Sequence, residues 1–117
     1  MGQPMTGLDP YREKLKDHLL THAVRTGEFV LKSGRKSNWF IDGKQTACHP
    51  EGITLVADII LNEIEGIDAI GGLTMGADPV AYGVAAIAAD RGQPLRSFSI
   101  RKEAKDHGVE GRIAGAL

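Results

Sequence analysis

The chain has 117 residues, 42% of them apolar and 25% charged. That fits one small globular domain with a single core and excludes a disordered or collagen-like chain. Fourteen basic and fifteen acidic side chains leave a formal charge of −1, so no global basic field exists to hold nucleic acid.

Residues 1–8 read as a loose lead-in without the basic and apolar regions of a signal peptide. Asp9-Pro10 then reads as a helix start, Asp9 as N-cap and Pro10 at the first helical position. Tyr11, Leu15, Leu19, Leu20 and Ala23 recur at helical spacing, and Gly27 is the expected stop. Phe29-Val30-Leu31 and Trp39-Phe40-Ile41 flank a polar, glycine-bearing turn with a basic tip, which predicts a hairpin. Residues 42–49 read as loop. Pro50-Glu51 opens a second helix through Ile53, Val56, Ile60, Leu61 and Ile64, ending near Gly66.

Ile67-Asp68-Ala69-Ile70 is a short apolar run closed by Gly71-Gly72. After a loop over 73–77, Asp78-Pro79 repeats the pattern of N-cap and first helical residue. That helix carries Val80, Val84, Ile87 and Ala88, with Gly92 past its end, and residues 95–100 form a second strand candidate. Strand, helix and strand in this order predict a βαβ unit with parallel strands. Residues 101–117 are charged, carry Gly108, Gly111 and Gly115, and have no usable period; a mobile loop is expected there. The reading is an α/β architecture with only two clear parallel strands, where a sheet usually has about 4–6.

The lone Cys48 can form no internal disulfide and fits a reducing cytosol. No apolar run approaches the roughly 18 residues of a membrane span. Cys48 and His49 are adjacent, not at metal-ligand spacing. His18 and His22 stand at i, i+4 without an evident third ligand, so a solvated or partly packed face is expected there and no metal site is assigned.

Three segments are candidates for chemistry. Gly71-Gly72-Leu73-Thr74-Met75-Gly76-Ala77-Asp78 stands between a strand end and a helix start, where backbone N–H groups can cradle an anion. It is neither a dinucleotide fingerprint nor a P-loop, and a plain tight turn is the competing reading. Arg101-Lys102-Glu103-Ala104-Lys105-Asp106-His107-Gly108 follows directly after a strand and has the cations to neutralise a polyphosphate if it closes over one. The competing reading is a solvated charged loop. The hairpin tip, residues 32–36 beside Trp39-Phe40, would suit a flat anionic ring, unless the aromatics are core and the cations merely solubilising.

Taken in order, these segments resemble the orotate phosphoribosyltransferase family. Phe29-Val30-Leu31-Lys32-Ser33-Gly34-Arg35-Lys36-Ser37 with Trp39-Phe40-Ile41-Asp42 resembles the family's hairpin. Gly72-Leu73-Thr74-Met75-Gly76-Ala77-Asp78-Pro79 resembles its pyrophosphate-side loop. The stretch from Arg101 to Gly108 is very similar to its mobile catalytic loop, and that match is the most specific of the three. The resemblance covers the chain from about Asp9 onward. It implies a type I phosphoribosyltransferase fold, a parallel sheet with helices on both faces and an N-terminal hairpin hood. The domain divides as 9–49 for helix and hairpin, 50–100 for the core and 101–117 for the mobile loop.

The activity implied is transfer of phosphoribosyl from phosphoribosyl pyrophosphate (PRPP) to orotate, giving orotidine 5′-monophosphate and pyrophosphate in pyrimidine biosynthesis. By the same resemblance Mg²⁺ accompanies PRPP, the enzyme is a cytoplasmic homodimer with shared sites, and neither nucleic acid nor membrane is a partner. Arg101, Lys102, Lys105 and His107 would contact the PRPP phosphates, with Lys105, His107 and Arg101 as the catalytic set. Lys32 would face the ligand pocket, Phe40 and Ile41 would lie along the orotate ring, and Thr74 and Met75 would give backbone contacts to the pyrophosphate. A non-proline cis peptide is expected at Leu73-Thr74. The chain departs from the family at Met75, where some members have lysine. It also has no strand with paired acidic residues and a Thr/Gly-rich phosphate loop, so it reads as the N-terminal part of such an enzyme, with later strands missing. The alternative is a non-catalytic fragment or a PRPP- or nucleotide-sensing regulator on the same fold.

Overall fold

The structure, a computed structural model, describes Gly7, residues 9–103 and residues 111–117. Helix α1 (Asp9–His18) has an acidic residue in its first turn and Lys16 and His18 in its last, which complements the helix dipole at both ends. It does not run on to Gly27. The chain widens into a π-turn (Leu19–Ala23) and enters strand β1 (Val24–Val30). Gly27 lies inside that strand with φ of 145°, within the stretch where the register slips between Thr26 and Phe29. A bulge of this kind favours glycine. Of the apolar set expected to face the core from the first helix, Ala23 is buried while Leu20 is 57% exposed.

Strand β2 (Lys36–Ile41) pairs antiparallel with β1, Val24 opposite Ile41 and Val30 opposite Lys36. The predicted hairpin is present, with longer strands than its apolar runs alone define. Its tip is closed by Gly34 N–H to the Leu31 carbonyl at 2.8 Å and Leu31 N–H to the Arg35 carbonyl at 2.9 Å. The stretch expected as loop before Pro50 contains a one-turn helix, α2 (Lys44–Ala47). Helix α3 (Pro50–Glu63) begins where Pro50 predicts, capped by the His49 side chain, which accepts from Glu51 N–H at 3.1 Å.

Strand β3 (Ala69–Leu73) runs through Gly71 and Gly72 rather than stopping at them. A Cβ at Gly71 would fall 2.5 Å from the Phe98 ring, so the glycine makes room for an aromatic on the neighbouring strand. Helix α4 (Asp78–Asp90) follows, and β4 (Arg96–Ile100) pairs parallel to β3 from Ala69↔Arg96 to Leu73↔Ile100. The βαβ unit is therefore as read. The expectation of loop throughout 101–117 is corrected at its far end. There β5 (Ile113–Gly115) adds antiparallel to β4 and gives a three-stranded mixed sheet of order β3-β4-β5. Three residues are too few to show a period.

The buried apolar residues are Ala23, Leu55, Ala57, Ala81, Val84, Ala85 and Ala88. Small side chains let α3 and α4 approach closely: a Cβ at Gly83 would lie 2.5 Å from Ile53. Arg91 pairs with Asp58 at 2.6 Å between the same helices, and Arg12 pairs with Glu63 between α1 and α3. Gly52 is buried at the start of α3, where a Cβ would fall 2.1 Å from the Thr46 carbonyl oxygen. Gly52→Ala is therefore expected to cost ~1–3 kcal/mol in urea unfolding. Gly43→Ala, at a position with open space around it and φ of −60°, should stay within about 0.5 kcal/mol.

Candidate functional site

The C-terminal ends of β3 and β4 carry the first candidate segment. Thr74 N–H donates to the Ile100 carbonyl at 2.9 Å, so the β3–β4 ladder continues one residue beyond Leu73. The chain departs from the strand only after that bond, and the cis peptide is Thr74-Met75, one residue later than the expected Leu73-Thr74. The turn is closed by Ala77 N–H to the Leu73 carbonyl and Asp78 N–H to the Met75 carbonyl, both at 3.1 Å.

Asp78 is not the cap of α4. The N-cap is Ala77, with no side-chain cap bond, and Asp78 is the first helical residue. Its carboxylate turns to the loop and the sheet, accepting from Thr74 Oγ1 at 2.6 Å and from Ser99 Oγ at 2.7 Å. Tyr82, one turn along α4, bonds Ser99 Oγ through its hydroxyl. One carboxylate thus joins the loop, β4 and α4. Sequence reasoning named Asp78 in the wrong role and missed Ser99 and Tyr82. Arg96 and Ser97 on the same strand are polar too, so no pattern in the sequence singled out Ser99. It is 6% exposed, and a buried hydroxyl needs a partner.

Arg101 follows β4. Its N–H donates to the Arg112 carbonyl at 2.6 Å, and its own carbonyl accepts from Arg112 Nε at 2.8 Å. Its backbone is therefore held by the lead-in to β5. Its Nη1 is buried and has no acceptor among the described residues. Because Thr74 is bonded to Ile100, Arg101 stands at the edge of the loop. The fold brings Thr74, Met75 and Arg101 together where open α/β sheets gather ligands, at strand C-termini facing a helix N-terminus. Met75 is 66% exposed and Lys102 is also exposed. Lys105 and His107 lie outside the described residues.

The hairpin residues stand apart from this loop. Lys32 is exposed at the tip, and Phe40 packs edge-to-face on Phe29 with ring centroids 4.7 Å apart. Neighbouring strand residues point to opposite faces, so the half-buried Phe40 and the exposed Ile41 present different sides of β2. A pocket of about 620 Å³ on the hairpin is lined by Glu28, Phe29, Val30, Lys36, Ser37 and Asn38. Among the described residues no hydrogen bond or ion pair joins the hairpin to the turn after β3.

The two hydroxyl bonds, Thr74 first and then Ser99, hold the Asp78 carboxyl below its ordinary value of 3.8. A carboxyl lowered by folding contributes stability above its unfolded pKa and loses it as pH falls through the lower folded value. Asp78→Asn should therefore lower the Tm at neutral pH, and the gap to the unaltered chain should close as pH drops below about 3.8. Thermal unfolding by circular dichroism across that range checks this; a gap of constant size would contradict it.

No protein-family model matches the chain. An orotate phosphoribosyltransferase of Nostoc sp. is 41% identical over 105 residues, covering 89% of this chain and 51% of that protein. A crystal structure of the Mycobacterium tuberculosis orotate phosphoribosyltransferase in complex with Fe(III) dicitrate matches with a TM-score of 0.76 at 31% identity, covering 92% of this chain and 61% of that one. The mycobacterial enzyme in complex with PRPP matches with a TM-score of 0.68 at 26% identity, covering 92% of this chain and 58% of that one. The chain spans about half the length of the curated relatives it matches. The α/β elements, the loop after β3 and the sequence likeness agree: over 89% of its length the chain is similar to orotate phosphoribosyltransferases.

Proposed function

We propose that this chain supplies the pyrophosphate-binding side of an orotate phosphoribosyltransferase, which joins orotate to PRPP and yields orotidine 5′-monophosphate and pyrophosphate for UMP synthesis. The observation that carries the reading is the convergence of the Thr74-Met75 turn and Arg101 at the ends of β3 and β4. The reaction needs no protein nucleophile. As pyrophosphate leaves, ribose C1 becomes cationic and negative charge grows on the leaving oxygens. Catalysis then consists of orienting two partners and neutralising that charge with groups already in place.

In this proposal Arg101 and Lys102 receive the phosphates at the sheet edge, and the Thr74-Met75 backbone contacts the pyrophosphate. Lys105 stabilises the leaving group, and His107 adds a hydrogen bond or a proton. Lys32 and the Phe40-Ile41 stretch serve the orotate side. At the turn after β3 the Asp78 carboxylate accepts one hydroxyl on each oxygen. Mg²⁺ belongs to the proposal as a companion of the PRPP diphosphate, an arrangement in which this ion takes few protein ligands. A cytoplasmic homodimer with shared sites completes the reading. The sensing alternative is not favoured, because the relatives bear the name of the transferase.

The test follows the loss of orotate absorbance with PRPP and Mg²⁺. It uses this chain and this chain joined to the part of the Nostoc sp. relative that it does not span. Turnover by either supports the reading, and turnover by neither overturns it. In whichever form is active, Lys105→Ala should lower kcat by ~10²–10³ with the Tm unchanged. An unaffected kcat would remove Lys105 from the site.

A further inference from the structure

We propose that His18, His22 and His49 form a binding site for one transition-metal ion of the zinc class, on elements that carry none of the phosphate-loop residues. Sequence spacing gave His18 and His22 no third ligand. Folding supplies it, because the short loop and α2 return the chain so that His49, at the start of α3, meets the end of α1. The ring centroids lie 4.2 Å apart for His18 and His22, 4.6 Å for His18 and His49, and 5.0 Å for His22 and His49. One ligand nitrogen from each ring lies within 4.8 Å of the other two. Three imidazoles at ~2.0–2.1 Å from a tetrahedral ion have nitrogens about 3.3–3.4 Å apart. The rings need only modest rotation to reach that spacing, and two of them, exposed His22 and half-buried His49, have room to make it.

A π-turn begins at Leu19, directly after His18, and includes His22; such turns are frequent at functional sites.

Burial marks His18 as the anchor. It is 4% exposed, and its Nε2 is buried without a hydrogen-bond partner among the described residues. A buried polar nitrogen without a partner is costly and calls for an explanation. Its Nδ1 lies 2.9 Å from Thr46 Oγ1, itself on a buried residue. With Nδ1–H donated to that hydroxyl, the lone pair sits on Nε2, which is the usual outer-sphere arrangement of a metal-binding histidine. His49 Nδ1 now accepts from Glu51 N–H at 3.1 Å. A neutral imidazole has a single lone pair, so ligation through Nδ1 transfers it from the helix cap to the ion.

The approach is open. A pocket of about 360 Å³ is lined by Lys14, Asp17, His18, Thr21, His22 and Glu51. Asp17 and Glu51 place carboxylates on its wall, Lys14 opposes them, and solvent can fill a fourth coordination position. Three nitrogen ligands select Zn²⁺, Co²⁺, Ni²⁺ or Cu²⁺ over Mg²⁺, which demands oxygen. The bound ion would pin the end of α1 to the start of α3 and raise stability by mass action.

The test is titration of the intact chain, without a histidine tag, with ZnCl₂ by calorimetry and with Co²⁺ by visible absorption. One ion per chain, a raised Tm and a shift of the Glu51 amide resonance are expected. His22→Ala alters an exposed ring and should leave the fold intact while weakening Zn²⁺ at least ~10-fold. Thr46→Val, which removes only the orienting hydroxyl, should weaken it by ~10–100-fold. Absence of saturable one-to-one binding would overturn the site. So would binding that neither His22→Ala nor His49→Ala changes. Neither result depends on orotate turnover.

Discussion

The parallel register of β3 and β4, extended one step by Thr74 N–H on the Ile100 carbonyl, is the constraint on which the candidate site after β3 rests. It brings the turn after one strand beside the first residue after the other, although twenty-six positions of chain separate Met75 from Arg101. The Asp78 carboxylate then fixes the turn by accepting from Thr74 and Ser99. Because Ser99 is on β4 and Tyr82 on α4, the turn cannot move without disturbing a strand and a helix. This is the kind of support that preorganised charge stabilisation requires, since the donors must be in place before charge develops.

Close approach is the second theme. The helices meet through alanines and glycines, with Val84 the largest fully buried side chain among the described residues. Gly52 lets α3 start against the Thr46 carbonyl, and Gly83 receives Ile53. The same closeness gathers the three histidines, because Thr46 on α2 is both the neighbour of Gly52 and the hydroxyl beside His18. The end of α1 and the start of α3 thus meet through α2, by the His18–Thr46 hydrogen bond and the close approach of Gly52 to Thr46.

Much of the candidate site was legible from residues. The glycines and the Asp78-Pro79 helix start predicted a βαβ unit with a tight turn between its strand and helix, and the loop after β3 stands where they placed it. The role of Asp78 was not legible. An Asp before Pro at a helix start reads as a cap, and only the position of β4 shows that Ser99 is there to turn the carboxylate toward the sheet. Likewise Phe40 and Ile41 read as one apolar pair, whereas the strand sends one toward Phe29 and leaves the other exposed.

Local chemistry alone determined the hairpin, the second helix and its Pro50 start, the strand–helix–strand order and the family resemblance, because turn residues, apolar period and motif spacing are properties of neighbouring residues. Tertiary structure alone decided the length of the first helix, the third strand at Ile113–Gly115 and the meeting of His49 with His18 and His22. Each of these depends on contacts between segments distant in the chain. A three-residue edge strand exists only because β4 offers it an unpaired edge. A third imidazole becomes a neighbour only when α3 packs back on α1, and no pattern along the chain records that distance.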